Sequence, residues 1–131
     1  MTEYEGRVRL AVKDLPLSFH RLARPAAEAA RCAAAEGRFW PYHDRLFAEQ
    51  PRFEREHLLR YAADLGLDVP RFTRCLDERR HAAAVEADVR QARALGITGT
   101  PTFVINGEVR IVGAHPIETF REVIAEALRG R

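Results

Sequence analysis

Apolar positions along the chain follow two different periods, and the change between them predicts where strands and helices lie. Residues 7–12 alternate polar and apolar side chains, which predicts a strand with Val8, Leu10 and Val12 on its buried face. From about residue 22 to residue 93 the apolar positions recur at helical spacing. Five helices are predicted there: residues 26–35, a helix starting near Pro41, residues 54–65, a helix capped by Asp68, and residues 82–95.

A hairpin and a final helix are predicted after residue 98. Asn106-Gly107 separates the apolar run Thr102–Ile105 from Glu108–Val112, and Asn-Gly favours a two-residue turn because both residues accept positive φ. Thr100-Pro101 precedes the first strand, where a proline removes no ladder hydrogen bond and a cis peptide bond is accessible. Residues 116–128 place four apolar side chains on one helix face: Ile117, Phe120, Ile124 and Leu128.

Composition bounds the class of protein. A chain of 131 residues is one ordinary domain. Its 21 basic and 19 acidic residues leave a net charge of +2, which argues against nucleic acid or an anionic membrane surface as a partner. No apolar run approaches the roughly 20 residues that span a bilayer. Residues 1–5 have neither a basic segment nor an apolar one, so they show no secretory signal.

The search for catalytic and metal sites excludes most enzyme classes. There is no glycine-rich phosphate loop, no paired carboxylate site and no serine nucleophile setting. The five histidines are scattered without the spacing of metal ligands, so neither a metal nor a cofactor is expected; they are His20, His43, His57, His81 and His115. His43-Asp44 lies in an aromatic cluster that is interpreted as packing: Phe39, Trp40, Tyr42 and Phe47.

The two cysteines lie 43 residues apart, so they cannot form a Cys-x-x-Cys pair. Cys32 and Cys75 each fall inside a predicted helix, away from a helix N-terminus or an evident base, which argues against a catalytic thiol. Two readings stay open from the residues alone. The cysteines form one structural disulfide, or they are two buried free thiols that pack as small apolar side chains.

Several sequence blocks follow one another along the chain in the order and spacing of the DsbA-like thioredoxin-fold proteins, and the chain resembles that family over about residues 4–128. The most specific is Gly99-Thr100-Pro101-Thr102-Phe103-Val104-Ile105-Asn106-Gly107. In the block Gly6–Leu17, Leu15 stands where the family's D-F-P-L turn has Phe. The other blocks are Ala26–Ala33, Gly37–Trp40 with His43–Phe47, Tyr61-Ala62 with Leu65–Asp68, Phe72 and Cys75-Leu76.

The resemblance implies a helix-rich α/β fold: a thioredoxin-like fold with a helical insertion, truncated at its N-terminus. Residues 1–131 form a single domain, with the insertion at about 18–95 and thioredoxin core remnants at 1–17 and 96–131. Relatives open with a central strand and a Cys-x-x-Cys at the start of a helix, and residues 1–5 correspond to the last turn of that helix. Either the native protein carries this motif upstream of Met1, or the chain is a natural short form without it.

The function implied is thiol–disulfide exchange on protein or peptide thiols and disulfides, with the redox motif missing from this chain. In the family the proline before the hairpin is cis and lies beside the substrate, so Thr100 and Pro101 are the expected substrate-contact residues. Because the motif is absent, this chain alone is expected to be inactive. The alternative is a redox-inactive thioredoxin-fold binding or structural module.

Two further expectations come from the resemblance. Some relatives bridge the insertion at similar places, which implies a structural disulfide between Cys32 and Cys75, and full-length relatives are extracytoplasmic. The absent central strand would pair with both Val8–Val12 and Thr102–Ile105. Leaving those edges open exposes unpaired backbone groups, so a homodimer is predicted in preference to direct pairing or partial disorder.

Overall fold

The chain is described by a computed structural model over residues 2–130, and helices dominate it. A short 3₁₀ turn at Thr2–Tyr4 opens the fold, and a hairpin separates five helices from a sixth. The elements are α1 Ala23–Ala34, α2 Phe39–Ala48, α3 Arg55–Asp64, α4 Val69–Asp77, α5 Ala82–Ala94, β1 Thr102–Ile105, β2 Glu108–Val112 and α6 Ile117–Arg129.

Helices α1 to α4 enclose the main core, as the apolar spacing predicts. The largest fully buried side chains include Tyr42, Tyr61 and Phe72. The Tyr42 hydroxyl donates a hydrogen bond of 2.9 Å to the carbonyl of Leu58, so its one polar atom is satisfied inside the core. Helix α5 adds a further buried stripe at positions 85, 89 and 92.

The start of α4 confirms the predicted cap at Asp68. Its carboxylate accepts a hydrogen bond of 3.1 Å from the N–H of Arg71, and Pro70 lies in the first turn, where its missing N–H removes no helical bond. This start sets the direction of α4, which carries Cys75 into the core next to α1.

A left-handed residue ends several of these helices. Gly37 has φ of +73° after α1, and the N–H of Arg38 then donates to the Ala33 carbonyl. The same turn follows α4, where the N–H of Arg80 donates to the Cys75 carbonyl. There the left-handed position is occupied by Arg79, with φ of +51°.

The predicted hairpin is confirmed: β1 and β2 pair antiparallel, with a bulge between Phe103 and Val104. Ile105 pairs with Glu108 beside the two-residue turn, and the N–H of Gly113 donates to the Pro101 carbonyl. Because bonded positions alternate along an antiparallel pair, Thr102 and Val104 direct their N–H and C=O groups away from β2. In the described part of the chain no other strand pairs with that edge of β1.

The predicted strand at residues 7–12 is wrong, because residues 8–17 have no regular secondary structure. Leu10 and Val12, expected on a buried face, are 50% and 39% exposed. A strand persists only when a neighbour accepts its backbone hydrogen bonds, and none of the described residues provides that neighbour. Direct pairing of this segment with β1 does not occur.

Near its end the segment bonds to the helical part through Asp14, and Lys13 Nζ lies 3.9 Å from a carboxylate oxygen of Asp88. The Asp14 carboxylate accepts a bond of 2.7 Å from Arg31, whose other arm bonds the buried Asp88 at 2.7 Å. The Asp14 N–H also donates to Asp88 at 2.9 Å. Burial raises the pKa of the Asp14 carboxyl above its usual value, against the hydrogen bond from Arg31.

Candidate functional site

Thr100 and Pro101 lie in the exposed turn that leads into β1. The peptide bond between them is cis, and both residues are exposed. Among the described residues, the N–H and C=O of Thr100 have no hydrogen-bond partner, whereas the Thr102 hydroxyl donates to the Gly99 carbonyl at 2.8 Å. The turn is therefore held from within while Thr100 keeps its own backbone groups available.

A groove of about 860 Å³ runs along the free edge of β1, and we call it the β1 groove. Three parts of the chain line it: residues 103–106, Tyr4 with residues 7–10, and the apolar face of α6. Phe103 and Phe120 fix β1 to α6 through an edge-to-face contact with ring centroids 4.7 Å apart. The apolar stripe predicted on α6 therefore faces the groove.

Charged side chains also line the β1 groove. Arg121 on α6 bonds the carboxylate of Glu3, with an Nη2–Oε1 distance of 2.6 Å, and this hydrogen bond lowers the pKa of Glu3. The pair joins the N-terminal turn to α6. Arg7 and Arg9 line the same space, so the groove carries more positive than negative charge.

Cys32 and Cys75 form a disulfide between α1 and α4, with Cα atoms 6.0 Å apart. Both side chains are buried, and they line a cavity of about 230 Å³. Neither Thr100 nor Pro101 lines that cavity, so the two groups of candidate residues identified from the sequence belong to separate places in the fold.

The structure also brings a histidine to this disulfide, which the sequence analysis did not anticipate. One ring nitrogen of His81 and the two sulfur atoms lie within 4.8 Å of one another. His81 stands immediately before α5, six positions after Cys75, while Cys32 comes from α1. The short Cys75–His81 spacing is visible in the sequence, but only the packing of α1 against α4 adds the third group.

The aromatic cluster around His43 divides between core and surface. Tyr42 is buried, but Trp40 and Phe47 are 47% and 62% exposed, and their rings lie against the His43 ring. The interpretation of the cluster as packing therefore holds for Tyr42 and for the partly buried Phe39, which packs against the core, and it is wrong for Trp40 and Phe47. Helix α2 turns its Trp40 and Phe47 away from α1 because Tyr42 and Leu46 occupy the buried face.

The hairpin and the helical part just described both lie within the residues that match a known protein family. Residues 8–125 match the family model of the DSBA-like thioredoxin domain. The chain belongs to this family. The DSBA-like domain thus includes both the Thr100-Pro101 turn and the disulfide-linked helices. No solved structure matches the chain.

The curated relatives that this chain matches are much longer proteins. The chain is 42% identical over 123 residues to the Na(+)/H(+) antiporter NhaA of Herminiimonas arsenicoxydans, covering 94% of this chain and 19% of that protein. It is also 42% identical over 121 residues to the Na(+)/H(+) antiporter NhaA 3 of Salinispora tropica, covering 92% of this chain and 18% of that protein. The Na(+)/H(+) antiporter NhaA of Nitrosospira multiformis is 30% identical over 128 residues, which is 97% of this chain and 20% of the relative.

The chain therefore spans about a fifth of the length of these relatives. Over residues 2–130, no helix has both the length and the apolar character needed to cross a membrane.

Proposed function

We propose that this chain is the substrate-binding part of a DsbA-family thiol–disulfide oxidoreductase domain, with the redox Cys-x-x-Cys supplied by polypeptide outside these residues. The observation that carries the proposal is the exposed Thr100-Pro101 turn, whose free backbone groups continue into the open edge of β1. Family membership over residues 8–125 supports it. The relatives' antiport is not assigned to this chain, which matches only about a fifth of their length.

The binding mode follows from the backbone. An extended peptide pairs with the N–H and C=O of Thr100, in the same way that a strand is added to the edge of a sheet. Thiol–disulfide exchange then proceeds through a mixed disulfide between a substrate sulfur and the supplied redox cysteine. Thr100 and Pro101 have the role of positioning the substrate chain, while the sulfur chemistry takes place on the supplied pair.

A redox-inactive binding module is the second candidate. Its support is that the chain's two cysteines are bonded to each other and lie in a cavity that the turn does not share. Both candidates require peptide binding at Thr100, and they differ in whether a redox pair accompanies the domain. Reading the coding DNA in frame upstream of Met1 distinguishes them: a Cys-x-x-Cys about 20 residues upstream supports the first, and an in-frame stop supports the second.

Peptide binding is tested by titrating ¹⁵N-labelled protein with a reduced, unfolded cysteine-containing peptide. We expect the largest shift changes at the Thr100 and Thr102 amides, and small changes in α1 to α4. A Thr100→Pro variant, which lacks the N–H, should bind more weakly than Thr100→Ser, which keeps it. Shift changes confined to the helices, or equal binding by the two variants, would contradict the proposal.

Turnover is tested separately by insulin reduction with the 131-residue chain. No activity above background is expected, because a thiolate at a helix N-terminus drives the family's reaction and neither cysteine occupies one. Cys32→Ser and Cys75→Ser are the controls. Cysteine-dependent turnover by this chain would place the redox centre within it and overturn the division of roles.

We propose in addition that the isolated chain forms a homodimer through the open edge of β1. The edge presents the backbone groups of Thr102 and Val104, and Val104 is 41% exposed. Antiparallel pairing of β1 with its copy across a two-fold axis satisfies both sets of groups and covers apolar surface. The same edge is available to a strand from a longer polypeptide, which would replace the copy.

A further inference from the structure

Two sulfur atoms and an imidazole nitrogen form one compact cluster at the junction of α1, α4 and α5. The sulfur atoms of Cys32 and Cys75 and one ring nitrogen of His81 all lie within 4.8 Å of one another. Thiolate and imidazole are the ligands that Zn²⁺ prefers, at about 2.3 Å for sulfur and about 2.0 Å for nitrogen. Tetrahedral bonding at those lengths separates the ligand atoms by about 3.5–3.8 Å, so small side-chain movements suffice.

We propose that this cluster is a redox-gated metal site, in which reduced Cys32 and Cys75 bind one zinc ion together with His81. In the disulfide each sulfur is bonded to the other and carries no negative charge, so the oxidised chain offers only the imidazole. Reduction creates two thiols, and zinc converts them to thiolates. The redox state of the disulfide therefore decides whether the metal binds.

The oxidised chain becomes the zinc-bound chain in two steps. A dithiol reductant transfers two electrons and two protons to the Cys32–Cys75 bond, which breaks to give two thiols while the reductant becomes a disulfide. Zn²⁺ then replaces the two thiol protons, which pass to solvent, and neutral His81 donates its lone pair. Two thiolates cancel the charge of the ion, so the loaded site is neutral.

The surrounding structure keeps the three ligands together after the disulfide opens. Helices α1 and α4 pack on each other over more residues than the two cysteines. The turn after α4 is tied to α1 by Arg79, whose guanidinium donates to the buried carboxylate of Glu28 at 2.8 and 3.2 Å. The N–H of Arg80 also donates to the Cys75 carbonyl. These bonds hold His81 beside Cys75.

The cavity next to the cluster gives the ion a route and a fourth position. Its volume of about 230 Å³ exceeds the roughly 30 Å³ that one water occupies in the liquid. Arg71 and Arg80 also line it, but Arg80 bonds Glu78 at 2.6 Å. Glu36 adds a carboxylate, and its Oε2 atom has no partner among the described residues. Water in the cavity completes the coordination, as in zinc sites with three protein ligands.

The test is an anaerobic titration with Co²⁺ followed by Zn²⁺, on protein reduced with dithiothreitol and then freed of it. We expect one Co²⁺ per chain, with the thiolate-to-cobalt charge-transfer band in the near ultraviolet and the visible bands of a tetrahedral site. Zn²⁺ should abolish both. Oxidised protein should show neither band. Equal binding by the oxidised and reduced forms, or no charge-transfer band, would overturn the proposal.

Variants identify the third ligand. His81→Ala should weaken zinc binding by about 100-fold or more. Even mutation of a residue that only hydrogen-bonds to a metal ligand lowers metal affinity by about 10–100-fold. His57→Ala, which removes a histidine on α3 that contacts Glu54 at the start of the same helix, should leave the affinity unchanged. Circular dichroism of the reduced chain with zinc must show the helices. A chain that stays unfolded with zinc present, or a His81→Ala variant that binds as tightly as the parent, would equally contradict the site.

Discussion

Arg79 occupies a left-handed position that is glycine in comparable helix-ending turns, and its guanidinium forms two hydrogen bonds to Glu28. The Glu28 side chain is 4% exposed, while that of Arg79 is 59% exposed. A non-glycine residue at φ of +51° is strained, and the ion pair explains why arginine is held there. The turn thus keeps an unfavourable φ angle at Arg79, and the side chain there forms a bond that joins the end of α4 to α1.

This relationship predicts an order among substitutions at Arg79. Arg79→Ala should lower the free energy of unfolding by about 2 kcal/mol, because the buried Glu28 carboxylate loses its charged donor. Arg79→Gly removes the same bond but relieves the left-handed strain, so it should be less destabilising by about 1 kcal/mol. Urea denaturation measures both.

The exposed pair of Arg55 and Asp77 provides the control, because both side chains are about half exposed. Arg55→Ala should change stability far less than Arg79→Ala, since solvent already screens that pair. If Arg79→Gly were as harmful as Arg79→Ala, strain would play no part in the turn.

The disulfide should contribute substantially to stability. It closes a loop with a sequence separation of 43, for which the loop-entropy model gives about 4 kcal/mol before any strain is subtracted. A Cys32→Ala, Cys75→Ala double variant should therefore unfold at lower urea than the oxidised parent. Mass spectrometry of unreduced protein should show a mass lower by two hydrogens than after reduction. Two thiols that alkylate freely in the folded protein would contradict the bond.

The open edge of β1 predicts an exchange pattern within one strand. In the proposed dimer the Val104 N–H bonds the second copy, so its hydrogen exchange should slow as protein concentration rises, while the Phe103 N–H, directed at β2, should not respond. Val104→Pro removes the donor and should give a monomer, and Val104→Ala should remain dimeric. Light scattering on a sizing column measures the mass. A parent chain that is monomeric at micromolar concentration would rule out the dimer.

Asp14 predicts a pH dependence with a definite sign. Burial raises its pKa above the usual 3.8, so the folded chain holds this proton more tightly than the unfolded chain does. Its contribution to stability is complete below pH 3.8 and declines as pH rises through the raised pKa. The stability of the parent relative to Asp14→Asn should therefore fall as pH increases from below 3.8.

Asp77 should behave in the opposite way. The hydrogen bond from Arg55 lowers the pKa of Asp77, so its contribution is present above pH 3.8 and disappears as pH falls through the lowered value. The stability of the parent relative to Asp77→Asn should rise with pH. Urea denaturation from about pH 3 to pH 6 measures both differences, and parallel slopes for the two variants would contradict this assignment.

The parts of the fold that depend on local signals could be predicted from the sequence. The Asp68 cap and the Asn106-Gly107 turn each specify a structure within a few residues, because their side chains or backbone preferences act on near neighbours. The order of such blocks also sufficed for the family resemblance that the match over residues 8–125 confirms.

Features that depend on distant partners could not be predicted in this way. Residues 7–12 have the alternation of a strand, but alternation records only which face prefers burial and not whether another strand is present. The meeting of His81 with Cys32 and Cys75 arises from the packing of three helices. The exposure of Trp40 was missed for the same reason, since one helix period fits several neighbours.

The uneven distribution of buried side chains has a consequence for how binding would be detected. The main core lies in α1 to α4, whereas none of the described α6 residues is buried. The helical part therefore contains most of the buried side chains, whereas in the described part of β1, β2 and α6 only Ile111 is buried. A strand entering the β1 groove would supply the apolar cover that α6 lacks, so docking and consolidation of this half become one event. Binding of such a strand would then be detected as increased order throughout β1, β2 and α6, and not only at the residues that contact it.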